Sequence, residues 1–338
     1  MIKEAIGKLV SGESLSFDEA VGAMEIIMNG DATPAQIGAF ITALSIKGET
    51  DEEIAGLASV MRSKVTPVNV YGPTIDIVGT GGDGSNSFNI STAAAFVAAG
   101  AGLKVAKHGN RAATSWCGSA DILEALGVRL ELGPEDVCQC IENAGIGFMF
   151  APIYHPAMKH AASPRKEIGI RTVFNILGPL TNPAKAEYMV LGVPSVDLGH
   201  KIATVLYRLG TRHSLVVHSR DGMDEISISG ATYIWDINED AVSPPYEVTP
   251  KDFGLKPADA STMKGSSAKE NAAMLHRIFD GEKGALRDVV VMNAAAALVA
   301  GDIAEDFKQG ARLAEEVIDS GRAKESLNML AEISQRLG

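Results

Sequence analysis

The chain has 338 residues, a formal net charge of -12, a hydrophobic fraction of 46% and a charged fraction of 21%. Those values describe an ordinary globular protein able to bury one large core or two moderate ones. They argue against nucleic acid as a partner, because no dense Lys/Arg run opposes the acidic field.

The first ten residues, MIKEAIGKLV, lack the apolar core and cleavage site of a signal peptide. The most apolar later stretch, residues 289–300, contains Asn293 and is too short to span a bilayer, so no membrane is expected as a partner. Cys117, Cys138 and Cys140 make no metal-binding quartet, and scattered thiols suit a reducing cytoplasm. Cys138-Gln139-Cys140 reads as helical, with one thiol facing the core.

About the first 65 residues read as helices alone. Three capping boxes punctuate them: Ser16 with Glu19, Thr33 with Gln36, and Thr50 with Glu53. Pro34 takes a first helical position, where its missing N–H costs nothing, and Gly48 ends that helix. These short amphipathic segments are expected to pack as a bundle, with a Pro/Gly-rich linker following at residues 66–73.

Beyond the linker, strands and helices alternate. Strands are expected at residues 75–78, 103–106, 148–150, 190–193 and 214–217, then at 226–228 and 233–235 in a more antiparallel texture. Helices are expected at 90–99, 119–126, 268–279 and 304–318. The predicted fold class is α/β: a small N-terminal helical bundle, residues 1–66, and a larger domain, 72–338, whose mostly parallel central sheet is covered by helices.

Four segments carry chemistry. Gly79-Thr80-Gly81-Gly82-Asp83-Gly84 follows the first strand, where ligands of α/β sheets bind and glycines let amides approach phosphate. It matches neither the dinucleotide fingerprint nor a Walker loop. Ser87-Phe88-Asn89-Ile90-Ser91-Thr92 then opens a helix with several side-chain donors beside unpaired amides, which suits an anion better than a single cap would require.

Lys107-His108-Gly109-Asn110-Arg111-Ala112-Ala113-Thr114-Ser115 reads as a loop just past the second strand, and Gly118-Ser119-Ala120-Asp121 begins the next helix. Adjacent parallel strands would set this loop beside the glycine loop, with Lys107 as a point charge for phosphate. Asp221-Gly222-Met223-Asp224-Glu225 lies past a strand end, and its carboxylates suit a hard divalent cation that takes its other ligands from water and substrate phosphate.

His155-Pro156-Ala157-Met158-Lys159-His160 precedes Arg165 and Arg171. The histidine spacing does not match helical zinc ligands, whereas Arg165 could fork onto a carboxylate. The proline-bounded segment from Asn175 to Pro183 reads as a rigid turn that could wall an aromatic pocket or form a domain hinge.

Taken together, in this order and spacing, the glycine loop, Phe88 to Thr92, Lys107 to Arg111, Gly118 to Asp121, the His155 segment, Phe174 to Pro183 and Asp224-Glu225 closely resemble the anthranilate phosphoribosyltransferase family. The resemblance covers essentially the whole chain. It implies a magnesium-dependent transfer of the phosphoribosyl group of phosphoribosyl pyrophosphate (PRPP) to the amino group of anthranilate, the second step of tryptophan biosynthesis from chorismate. It further implies two Mg²⁺ per subunit, a homodimer joined through the helical domain, and helices from about 155–185 joining that domain. Whether an anthranilate synthase component binds is left open.

Carried over by position, the resemblance makes Gly79, Gly82, Asp83, Ser87, Asn89, Ile90, Ser91, Thr92, all of Lys107 to Ser115, and Ser119 PRPP contacts. Gly79, Asn110, His155 and Arg165 become anthranilate contacts, with Arg165 facing the carboxylate, and Ser91, Asp224 and Glu225 become metal ligands. Ser87 stands where many members have threonine, Met223 replaces a common leucine, and Trp116-Cys117 is bulkier than usual. Pyrimidine nucleoside phosphorylases share the implied fold and a glycine loop, but their Ser-Gly-Arg-Gly run is missing here.

Overall fold

The structure, a computed structural model, describes residues 1–112 and 116–337. All three expected capping boxes close at the N-termini of Phe17–Asn29, Pro34–Lys47 and Asp51–Lys64. Glu53 does more than cap. Fully buried, its carboxylate accepts from the Leu15 and Thr50 amides at 2.8 Å each and pairs with Lys47 Nζ at 2.9 Å. A buried charge so completely paired ties the first loop of the bundle to its last helix.

Seven strands form one sheet: β1 Ile75–Gly79, β2 Val105–Gly109, β3 Ile146–Phe150, β4 Tyr188–Gly192, β5 His213–Ser219, β6 Thr232–Asn238 and β7 Tyr246–Val248. Their order is β3-β2-β1-β4-β5-β6-β7, parallel through β5 and antiparallel for β6 and β7. The predicted α/β class therefore holds. Side chains alternate between faces, as the strand repeat requires: Tyr188 and Val190 of β4 join one core, Met189 and Leu191 the other. That second core is continuous with the N-terminal bundle through Ile37, Phe40 and Leu44. Helix Lys159–Ile168 packs against Pro34–Lys47 and Phe17–Asn29, beside the bundle rather than over the sheet.

Chain order reverses direction between β1 and β4. Crossovers leave on opposite sides there and open a crevice beyond the strand ends, where Gly79 of β1 pairs in register with Gly192 of β4.

Three expectations need correction. First, β2 begins at Val105 and continues through Lys107-His108-Gly109, which lie in register with Phe148-Met149-Phe150 of β3. These polar residues belong to a strand, not to a loop beyond it. Second, residues 226–228 form no strand, because side chains take their backbone groups: Ile226 N–H donates to Asn293 Oδ1 at 3.0 Å, Asn293 Nδ2 donates back to the Ile226 carbonyl at 2.9 Å, and Ser227 N–H donates to Ser219 Oγ at 3.0 Å. Third, the helix expected from 304 starts at Phe307, where Asp306 accepts from the Gln309 amide at 2.7 Å.

Among the described residues, no helix is long and apolar enough to cross a membrane.

Candidate active site

Two adjoining cavities open at the carboxyl ends of β1 and β2. The first, of about 300 Å³, is bounded by the glycine loop after β1, the start of helix Ile90–Gly100, the end of β2 and Asp224-Glu225. Short glycine contacts fix its floor. A Cβ on Gly79 would strike the Asp224 carboxylate, and one on Gly192 would strike the Asp224 carbonyl. Asp224 Oδ2 accepts from the Gly81 amide at 2.7 Å, while the Asp224 amide donates to Asp83 Oδ2 at 3.3 Å. Glu225 Oε1 accepts from the Ser91 amide at 3.2 Å. Three carboxylates and the expected metal-binding serine thus meet at one wall.

Burial, reinforced by the nearby Asp83 charge, pushes the Asp224 carboxyl up to about 7. Burial, then repulsion from Asp224, pushes Glu225 up to about 8. A cation between them would remove both penalties. Among the described residues, no three His, Cys, Asp or Glu side chains make a complete metal cage. The adjacent carboxylates of Asp224 and Glu225 fit Mg²⁺, which asks one or two carboxylates of a protein and keeps several waters and substrate oxygens. The buried hydroxyls of Thr80 and Thr92, both on this cavity, have no partner among the described residues, as expected of groups that meet a polar ligand.

Lys107 is almost fully buried, and its Nζ donates to the Ile77 carbonyl at 2.5 Å. Desolvation lowers its pKa, while Asp76 and then Glu225 oppose that shift. Asp76, fully buried in β1, accepts from Asn182 Nδ2 at 2.7 Å. Arg111 turns outward onto Asp121 at 3.1 Å and Glu124 at 2.8 Å. Asp121 also holds the loop by accepting from the Ala112 and Gly118 amides, each at 2.9 Å. On the near side of the cavity, Asn89 Nδ2 donates to the Cys117 carbonyl at 3.1 Å and its Oδ1 accepts from Asn271 at 2.9 Å.

The second cavity, of about 430 Å³, lies between the sheet edge and the helical unit. Apolar side chains, Met61, Met158, Ala162 and Phe174 among them, enclose it, and Arg165 enters from helix Lys159–Ile168 with its guanidinium 4.9 Å from the Phe174 ring centre. Desolvation lowers the Arg165 pKa. His155 Nε2 sits 3.1 Å from His108 Nε2, so one ring donates and the other accepts. Burial brings His108 down to about 3, with the adjacent His155 adding to the shift, and brings His155 down to about 4; both rings are neutral at physiological pH. His108 and Asn110 line both cavities and mark where they meet.

Of the expected PRPP contacts, Gly79, Gly82, Asp83, Ser87, Asn89, Ser91, Thr92, Lys107 to Ala112, and Ser119 line the first cavity. Ile90 does not: its side chain is in the core and its amide donates to the Phe88 carbonyl at 2.7 Å. Ala113, Thr114 and Ser115 lie outside the described residues. Of the expected anthranilate contacts, Asn110, His155 and Arg165 line the second cavity, whereas Gly79 lines only the first. The sequence points to no role for Asp76, and it places Asn175 and Asn182 only in a rigid turn and Arg171 only behind Arg165, with no partner for any of them. An acid within the apolar run Ile75-Asp76-Ile77-Val78 was the available signal for the first of these.

Residues 71–324 match the model of the glycosyl transferase family a/b domain, and residues 3–65 match its helical bundle domain. Over 338 residues the chain is 56% identical to the anthranilate phosphoribosyltransferase of Dehalococcoides mccartyi, covering 100% of this chain and 99% of the relative. Over 335 residues it is 56% identical to that of Chloroflexus aggregans, covering 99% and 98%. Among solved structures, the anthranilate phosphoribosyltransferase of Thermus thermophilus superposes with a TM-score of 0.92 at 45% identity, covering 98% of this chain and 99% of that one. The Saccharomyces cerevisiae enzyme in complex with PRPP and Mg gives 0.91 at 31% identity, covering 99% and 98%. A two-cavity cleft between a helical bundle and a doubly wound sheet, with these relatives along its full length, places the chain in the glycosyl transferase family, among its anthranilate phosphoribosyltransferases.

Proposed function

We propose that this protein transfers the phosphoribosyl group of PRPP to the amino group of anthranilate, giving N-(5-phosphoribosyl)anthranilate and pyrophosphate in the second step of tryptophan biosynthesis. The supporting observation is the pairing of cavities. One is polar, with amide donors and crowded carboxylates; the other is apolar with a single guanidinium; they join at His108 and Asn110. A diphosphate ester fits the first and an aromatic acid the second, which brings the amine to the sugar carbon.

Asp224 and Glu225, with Ser91, would hold magnesium, two ions per subunit, and bound magnesium neutralises charge on the departing diphosphate. The glycine-loop amides and the start of helix Ile90–Gly100 add donors aimed at the same oxygens. Arg165 and Asn110 hold anthranilate, whose neutral amine needs little help from a base before it attacks. The neutral His108–His155 pair adds no competing charge beside an oxocarbenium-like sugar. Apolar walls keep water from taking the place of the amine.

The remaining reading extends to assembly. A homodimer through the helical unit, residues 1–66 joined by helices from about 155–185, and a cytoplasmic location accompany the proposed function.

Anthranilate fluorescence supplies the test. On adding PRPP and Mg²⁺ to enzyme and anthranilate, fluorescence falls with time; without Mg²⁺ it stays level. A level trace in both cases would overturn the reading.

The crowded carboxylates make a second expectation. Their pKa values in the folded protein, about 7 and about 8, lie above the ordinary carboxylate range, so the metal-free fold favours their protonated forms. Their contribution to stability is full below the unfolded pKa near 4 and is lost as pH rises through 7 to 8. Mg²⁺ should therefore raise Tm more at pH 8 than at pH 6, as thermal denaturation with and without the ion would register.

A further inference from the structure

We propose that Arg171 is a positioning residue that couples filling of the diphosphate cavity to the placement of Arg165. The idea rests on the proposed function and adds a route by which the first substrate prepares the pocket of the second.

Three fixed cations, Lys107, Arg111 and Arg171, line the first cavity among the described residues. Two already have charged partners. Lys107 is buried on the Ile77 carbonyl under the influence of Asp76 and Glu225, and Arg111 is clamped by Asp121 and Glu124. Arg171 differs. Its Nη2 donates to the Gly81 carbonyl at 2.9 Å, and its guanidinium lies so close over Gly82 that any Cβ there would overlap it. It faces the cavity without a carboxylate partner among the described residues. A guanidinium carries five donors in a planar fork, so those not used on Gly81 are available to diphosphate oxygens.

The other end of the residue belongs to the helical unit. The Arg171 carbonyl accepts from Ser45 Oγ of helix Pro34–Lys47 at 3.3 Å. Arg171 follows Arg165 by six positions, just past Gly169, which ends helix Lys159–Ile168 in a left-handed conformation. Directly after it, the Thr172 amide donates to Asn175 Oδ1 at 3.0 Å, and Asn175 lines the same cavity. One short segment therefore touches the glycine loop with its side chain and the helical unit with its backbone. When a diphosphate draws the guanidinium and glycine loop together, this segment moves with them and carries the last turn of the Arg165 helix. Coupling between two sites through such a link is reciprocal: diphosphate should tighten anthranilate, and anthranilate should tighten diphosphate by the same factor.

Pyrophosphate with Mg²⁺ has no ribose to transfer, so it can fill the first cavity without reaction. Anthranilate affinity is measured by fluorescence titration of wild type, Arg171→Ala and Arg171→Lys, each with and without Mg²⁺–pyrophosphate. The wild type should bind anthranilate roughly tenfold more tightly in its presence, within the ordinary range of coupling. In Arg171→Ala that ratio should fall to about one while the affinity without pyrophosphate is unchanged. Arg171→Lys keeps the charge but not the fork, so it should recover only a small part of the ratio. An unaltered ratio in Arg171→Ala, full recovery with lysine, or no coupling in the wild type would each overturn the proposal. Turnover of PRPP and anthranilate by the wild type is read separately, so an active enzyme without coupling defeats this inference alone.

Discussion

Replacing Asp224 or Glu225 with alanine is expected to lower kcat by on the order of 10²–10³, the scale of losing one preorganised electrostatic group at a reacting centre. The effect arises from position. Asp224 lies against Gly79 and Gly192 at the reversal of strand order and is tied to the Gly81 amide, and Glu225 is tied to the first turn of helix Ile90–Gly100. The two glycines fix the place of Asp224 alone, and Glu225 is placed by its bond to the Ser91 amide. Folding should not suffer. Both groups are held protonation-prone, Asp224 by burial and the Asp83 charge, Glu225 by burial and the Asp224 charge, so removing either relieves the metal-free protein. The Tm without Mg²⁺ should equal or exceed that of the wild type, while the rise produced by Mg²⁺ should disappear. Steady-state kinetics and thermal denaturation on the same preparations separate these effects. Turnover near the wild-type value would remove the pair from the reaction.

What the sequence revealed about this wall and what it hid have physical reasons. The caps at Ser16, Thr33 and Thr50 are local: a side chain meets an amide three residues away, and both are written side by side. The glycine loop was legible for the same reason. The end of β2 was not. Lys107-His108-Gly109 has the polarity of a loop and becomes a strand because Phe148 to Phe150 of β3 pairs with it and because buried Asp76 receives the lysine's charge. Residues 226–228 erred in the opposite direction. Alternating Ile and Ser resembles half a sheet, yet the hydrogen bonds go to Asn293, on a helix far along the chain. Asp76 with Asn182, and Arg171 with Gly81, acquire meaning only when separated segments meet. The resemblance to a known family supplied the chemistry of the site; the fold supplied the division of that chemistry between two cavities.

Arg165→Ala should act on the other cavity and leave a different kinetic signature. Arg165 is half-buried among apolar groups, over the ring of Phe174, and burial disfavours its charge. An aromatic carboxylate entering that cavity would provide the missing opposite charge in a geometry that two parallel N–H donors can match. Hydrogen bonds to a charged group contribute about 1.5–3 kcal/mol each. Losing one such contribution corresponds to a rise of about 10–150-fold in KM for anthranilate. The KM for PRPP should change little, since Arg165 does not line the first cavity. Losing a guanidinium that grips the acid and not the reacting bond would make kcat fall far less than in the carboxylate variants. Arg165→Lys should lie between, keeping the charge while losing the fork. Initial rates measured against each substrate in turn decide the matter: an unchanged KM for anthranilate in the alanine variant would take Arg165 out of the carboxylate site, and equal rises for both substrates would mean that the two cavities fail together.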